Sequence, residues 1–233
     1  MPDNPARSGA SAAAASAGQV RVSGLAVATG ASHDRRLGPA HAALGDAGLE
    51  VRDVVAVIHV RPPADDTWSA ERVRDELGLG GAPAVRALDV VDDGCGVPSS
   101  IAVGSSMLAQ THGAVLVVVA GAAAVLTGTP QPGHRRGDRN GSALRSSADS
   151  DGTHAAVERV LTAVGDDLPI VAVAPGGIRL AAGRRFVATS LSTHAAAPIE
   201  GLIDARAGGH SEVVLVTANG SGHAAAVVCR LRD

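Results

Sequence analysis

The side chains in this sequence best suited to covalent chemistry are two thiols in unlike settings. Cys95 stands in the turn Asp92-Asp93-Gly94-Cys95-Gly96, ahead of a segment with helical spacing, whereas Cys229 lies in an apolar run near the end of the chain. A helix start favours the thiolate, the nucleophilic form, through the helix dipole and free backbone N–H groups. The carboxylates of Asp92 and Asp93 oppose it, and a small thiol beside a turn is commonly an inert, half-buried residue. Both readings of Cys95 stand at this point. The histidines show no HExxH or paired spacing, and no cluster of cysteines or carboxylates completes a ligand set, so no metal or other cofactor is expected. Gly94 to Gly96, Gly176-Gly177 and Gly220 to Gly222 are glycine-rich, but none forms a P-loop or a GxGxxG fingerprint.

Composition excludes several classes of function. A formal net charge of −3 gives no basic field, so a nucleic-acid partner has no electrostatic support. Trp68 and Phe186 are the whole aromatic complement, which leaves no stacking platform for bases or sugars. Two isolated cysteines suggest no disulfide framework and fit a reducing, cytoplasmic setting. Residues 1–18 are small and polar without an apolar signal core, and read as a disordered arm. The longest apolar run, Gly113 to Leu126, is too short and too rich in Ala and Gly to span a bilayer, so no membrane role is expected.

The elements that must position these residues alternate between strand and helix. Val20 to Ala28, Val54 to Val60, Ala84 to Val91 and Ala114 to Ala120 read as strands, and Leu37 to Ala47, Ala70 to Leu77 and Ser99 to Gln110 as helices, the last with Pro98 in its first turn. Thr127 to Gly152 is Gly, Pro, Ser, Asp and Arg with almost nothing apolar, and reads as a linker. The pattern then restarts, with helices Thr153 to Val164 and Ala196 to Ala207 and strands Ile170 to Ala174, Arg185 to Thr189, Glu212 to Thr217 and Ala224 to Leu231. Two α/β halves are therefore expected, at 19–126 and 153–233, around a linker at 127–152.

Three stretches resemble the β-ketoacyl-ACP synthase III branch of the thiolase-fold condensing enzymes. They are Ala42 to Leu116, with its AL..AGL helix, LGL segment, DV strand and Cys-bearing turn; Leu191 to Asp204, LSTHAAAPIEGLID; and Val213 to Arg230, VVLVTANGSGHAAAVVCR. Members of the family are about half as long again, which implies a shortened chain here. The resemblance implies a thiolase-like α/β fold of two related halves packed in layers, each with a mixed sheet, and a buried central helix from Ser99 to Gln110. It also implies association through the apolar strand Ala114 to Ala120 or its flank.

At the positions that carry the family's chemistry this chain departs from the pattern. Alignment on Asp89, Val90, Gly96, Ile101 and Val103 puts Gly94 at the nucleophile and Cys95 one residue late; a one-residue turn insertion would restore Cys95. Ile170 to Leu180 places Ala174 at the family's catalytic His and Gly177 at the Asn of the same motif, and Ser192 falls at the other catalytic Asn. His194 lies two residues beyond Ser192, within reach of the same pocket or at the surface, and His223 in the closing turn reads the same way. Gly94, Gly96, Ala174, Ser192, Gly220 and Gly222 become candidate substrate-binding positions, with Cys95, His194 and His223 as candidate catalytic groups.

The resemblance and these departures together imply a β-ketoacyl synthase-like protein of polyketide or fatty-acid-type biosynthesis that does not itself condense. The expected role is that of a partner subunit, resembling chain-length factors, that binds or shapes an acyl chain. The alternative is an acyltransferase that moves an acyl group from a CoA or carrier-protein thioester through Cys95, helped by His194 or His223. A binding or cyclisation scaffold for polyketide-like chains is hard to separate from the first. Expected partners are acyl-CoA or acyl carrier protein, and a second subunit in a homodimer or in a heterodimer with an active ketosynthase.

Overall fold

The computed structural model describes residues 21–28, 37–64, 68–82, 84–92, 94–128, 144–146, 152–164, 167–174, 184–191 and 194–232. The expected N-terminal arm, Gly177 and Ser192 lie outside them. The first half runs β1 (Arg21–Val27), α1 (Leu37–Ala47), β2 (Val54–Arg61), α2 (Ala70–Glu76), β3 (Arg86–Val91), α3 (Gly96–Leu108), β4 (Ala114–Val119) and β5 (Ala122–Thr127). The second runs β6 (Leu144–Ser146), α4 (Gly152–Val164), β7 (Ile170–Val173), β8 (Phe186–Ser190), α5 (Ala197–Ala207), β9 (Glu212–Ala218) and β10 (Ala224–Leu231).

The two halves repeat one topology. Strands of the first lie in the order β3-β2-β4-β5-β1 and those of the second in the order β8-β7-β9-β10-β6. In each, the first three neighbours are parallel and the last two pairings antiparallel. A short parallel pairing, Arg21 to Arg230 and Val22 to Leu231, joins the half-sheets at one corner.

Burial follows from the layers. On β2 and β4, Ala56, Ile58, Val60, Val115, Val117 and Val119 face α3, while Val57, Leu116 and Val118 face α1 and α2. On β9 and β10, Val213, Leu215, Val227 and Cys229 share the core of α3 and α5, while Val214, Val216, Ala224 and Ala226 pack on α4. Helices α3 and α5 thus fill the space between two facing half-sheets, and α1 with α2 on one side and α4 on the other form the outer layers. Strands covered on both faces need no alternation, which explains the run of valines in β4. The central helix expected near Ser99 to Gln110 is α3, with Ile101 and Leu108 inaccessible. Small residues let each central helix sit close on its strands: a Cβ on Gly104 of α3 would lie 2.6 Å from Leu126 Cδ1 of β5, and one on Gly201 of α5 would lie 2.5 Å from Val171 Cγ1 of β7.

Three expectations change. The apolar run Gly113 to Leu126 is a hairpin, β4 and β5, turned at Ala120-Gly121 with Gly121 at φ +85. The strand expected at Ala114 to Ala120 is β4; the second strand, β5, was not expected, because both are apolar throughout and no alternation marks where one ends. Strand β4 is paired with β2 on one side and β5 on the other, so it offers no edge for association. The open edges among the described strands are β3, β8 and the short β6. Within the expected linker, Leu144–Ser146 forms β6 against Ala224 to Ala226; three residues held by backbone pairing leave no apolar signature. Among the described residues no helix is long and apolar enough to cross a membrane.

Candidate functional site

A cleft of about 220 Å³ opens where the two halves meet, at the C-terminal ends of β2 and β7 and the N-terminal ends of α3 and α5. Its walls are Val60, Arg61, Pro62, Asp92, Gly94, Gly96 and Val97 from the first half, and Val173, His194, Ala195, Pro198, Ala218, Asn219 and Gly220 from the second. This is smaller than the roughly 300–1,000 Å³ of drug-sized ligand sites, and suits a short chain or small head group.

Cys95 caps α3 but does not line this cleft, although both its neighbours do. The Asp92 side chain accepts a hydrogen bond from Cys95 N at 2.9 Å, and Cys95 O accepts one from Ser99 Oγ at 3.0 Å, which fixes the start of the helix. The thiol is 3% exposed and directed at the β9–β10 hairpin, where Sγ donates to the carbonyl oxygens of Thr217 at 3.7 Å and His223 at 3.6 Å. Carbonyl acceptors hold an S–H and offer nothing to a thiolate. Gly94 has φ +97, and a Cβ there would lie 3.3 Å from Asn219 Cβ. At Gly96 an added Cβ would lie 2.4 Å from Val60 Cγ1. The turn is therefore built for glycine on both sides of the thiol. Burial pushes the other thiol, Cys229, up to about 12, so it is chemically silent at neutral pH.

The remaining candidates are scattered. Ala174 is buried at the end of β7 in the core shared with α4, not in the cleft, and donates its N–H to Ser190 O. His194 does line the cleft; its side chain is half exposed, with Nε2 3.3 Å from Glu200 Oε2 in the first turn of α5. His223 is exposed and outside the cleft lining, while Gly222 is a turn glycine at φ +81. Gly220, like Gly94 and Gly96, reaches the cleft.

Asn219 did not stand out in the sequence. It is 7% exposed, lines the cleft, and its Oδ1 accepts the N–H groups of Ser221 at 3.1 Å and His223 at 2.9 Å. It thereby shapes the turn that carries Gly220 and backs the Cys95 thiol. A signal was present: Asn-Gly-Ser-Gly is a sequence in which an Asn side chain satisfies the backbone two residues on. Beside the cleft, His59 of β2 pairs in register with Asp89 of β3, Nδ1 to Oδ1 3.4 Å, and Asp89 Oδ1 also accepts Ala70 N at 2.9 Å. That contact ties the start of α2 to the edge strand. The cleft thus offers a guanidinium, a carboxylate, an imidazole and an amide around apolar walls, without a presented nucleophile among the described residues.

No sequence-family model matches the chain, and no curated protein matches it by sequence. Solved structures do match in fold. The OleA protein of Xanthomonas campestris with bound lauric acid and lauroyl-CoA is 13% identical with a TM-score of 0.63, over 90% of this chain and 98% of that one. The 3-oxoacyl-(acyl carrier protein) synthase III of Xanthomonas oryzae is 14% identical with a TM-score of 0.60, over 90% and 98%. An acyltransferase, ChlB3, is 15% identical with a TM-score of 0.57, over 91% and 97%. The chain has the thiolase-like fold of these proteins, in a 233-residue form.

Proposed function

We propose that this thiolase-fold chain binds a short acyl thioester in the cleft without accepting the acyl group covalently, and acts as a non-condensing partner of an active ketosynthase. The observation that carries the reading is the orientation of Cys95, whose Sγ lies on the carbonyls of Thr217 and His223 rather than in the cleft. Acyl transfer needs the sulfur within reach of the thioester carbonyl, and Gly94 and Gly96, which do face the cleft, carry no reactive atom. The fatty acyl-CoA bound by the similar OleA protein supports an acyl-CoA or carrier-bound thioester as the ligand class. Partner association is assigned to the edge strand β3. It carries exposed Leu88 and Val91, and an open edge of this kind favours pairing with another chain.

The acyltransferase reading is kept because Cys95 opens a 13-residue buried helix next to two cleft-lining glycines, and His194 lines the same cleft. One experiment separates the two. The full chain is incubated with butyryl-CoA and with labelled malonyl carrier protein, then examined by intact mass and for released CO₂. Non-covalent binding with neither adduct nor CO₂ is the expected result. A butyryl adduct that Cys95→Ala abolishes would replace the partner reading with transfer.

A further inference from the structure

Two hydroxyl groups lie just behind the cleft, fully buried and without a hydrogen-bond partner among the described residues: Ser100 Oγ on α3 and Thr217 Oγ1 on β9. Ser100 is one helical turn beyond Gly96 and Val97, which line the cleft. Thr217 pairs in register with Val173, also a cleft residue, and shares the face of Val213 and Leu215 that turns toward α3 and α5. Each hydroxyl-bearing residue therefore adjoins a cleft-lining valine, Ser100 by helical spacing and Thr217 by strand register, while itself lying outside the lining. The Thr217 hydroxyl is not needed for packing: β9 is otherwise Val, Leu and Ala after Glu212, and an apolar side chain of the same shape would avoid the cost of a buried donor left unmade.

We infer that the cleft prefers acyl groups bearing a hydroxyl or carbonyl oxygen on the chain, and that Ser100 and Thr217 are the residues that recognise it. The inference rests on the cleft being an acyl-thioester site. A chain oxygen that enters past Val97 and Val173 meets a hydroxyl that can donate or accept, whereas an alkyl chain leaves both unmatched. A net neutral hydrogen bond to one of them corresponds to about 2- to 10-fold in affinity.

The test is calorimetric titration of the full chain with 3-hydroxybutyryl-CoA and butyryl-CoA. The native chain is expected to bind the hydroxylated thioester about 2- to 10-fold more tightly. Thr217→Val combined with Ser100→Ala should abolish the preference by weakening only the hydroxylated ligand, and should melt at the same or a higher temperature than the native chain. Thr217→Ser, which keeps the hydroxyl, should retain the preference. Equal affinities in the native chain, a preference that survives the double substitution, or a double variant that fails to fold would each overturn the inference, the last by showing that the hydroxyls serve the fold. Saturable binding of neither thioester would refute the acyl-cleft reading itself, and this inference with it.

Discussion

Replacing Gly94 by alanine tests whether the turn before α3 has truly left a geometry that can carry a side chain. Gly94 adopts φ +97, and an alanine Cβ would sit 3.3 Å from Asn219 Cβ and 3.9 Å from Ala218 O. Asn219 cannot give way freely, because its Oδ1 is held by the N–H groups of Ser221 and His223. A positive φ costs a non-glycine residue about 1–3 kcal/mol. Against this, alanine lowers the entropy of the unfolded chain, a gain of about 0.4–1 kcal/mol. The expected net loss is about 1–2 kcal/mol. In urea denaturation, with a slope of about 3 kcal/mol/M, the midpoint should fall by about 0.3–0.7 M at unchanged slope. Gly45→Ala provides the opposite sign. Gly45 is exposed within α1, and an added Cβ meets nothing within 4 Å, so that substitution should stabilise by about 0.5–1 kcal/mol. A Gly94→Ala chain as stable as the native one would refute the strain assigned to this turn.

Two further outcomes are expected. Ile101→Ala, at an inaccessible position of α3, should cost about 2–5 kcal/mol, whereas Val103→Ala, 37% exposed on the same helix, should cost far less; equal losses in denaturant would contradict the central placement of α3. Burial alone would raise the Asp46 carboxyl, but hydrogen bonds from Arg206 and Leu25 N and the charges of Arg206 and Arg232 outweigh it and hold the group below its usual range. A carboxylate depressed in the folded state contributes stability above its unfolded value of 3.8 and loses it as pH falls through the lower folded value. With 37% of the side chain exposed, solvent screening limits the effect, so Asp46→Asn should cost about 1 kcal/mol at pH 7, a deficit that shrinks as the pH falls below 3.8. Melting temperatures across that range check it, and a deficit that persists undiminished in acid would count against the clamp.

Much of the architecture was legible because its signals are local. Helical spacing in Leu37 to Ala47, a β-branched run in Val54 to Val60 and the glycine stops mark elements whose bounds the structure reproduces to within a few residues. The burial of most of α3 was likewise readable from its mixture of small and apolar residues, although Val103 and Ser106 are exposed. The duplicated strand order was not, because it depends on which strands pair, and pairing is a property of two segments distant in sequence. The split of Gly113 to Leu126 into two strands was hidden for a related reason: strands buried on both faces carry no alternation to show where one ends.

At the site, the sequence determined which residue types are present, and tertiary structure decided what they can do. The turn in the sequence pointed to Cys95, Gly94 and Gly96, and the neighbourhood of Ser192 to His194; the fold brings Gly94, Gly96 and His194 to the cleft and leaves Cys95 outside its lining. Whether a thiol faces a cleft depends on backbone torsions of a single residue and on what a strand more than a hundred positions away presents to it. Here the carbonyls of Thr217 and His223 draw Sγ into the β9–β10 hairpin. The same non-local contacts brought Asn219 to the cleft and left Ser100 and Thr217 buried behind it. A hydroxyl or amide in sequence looks like any other until the fold decides whether water, backbone or nothing in the protein satisfies it.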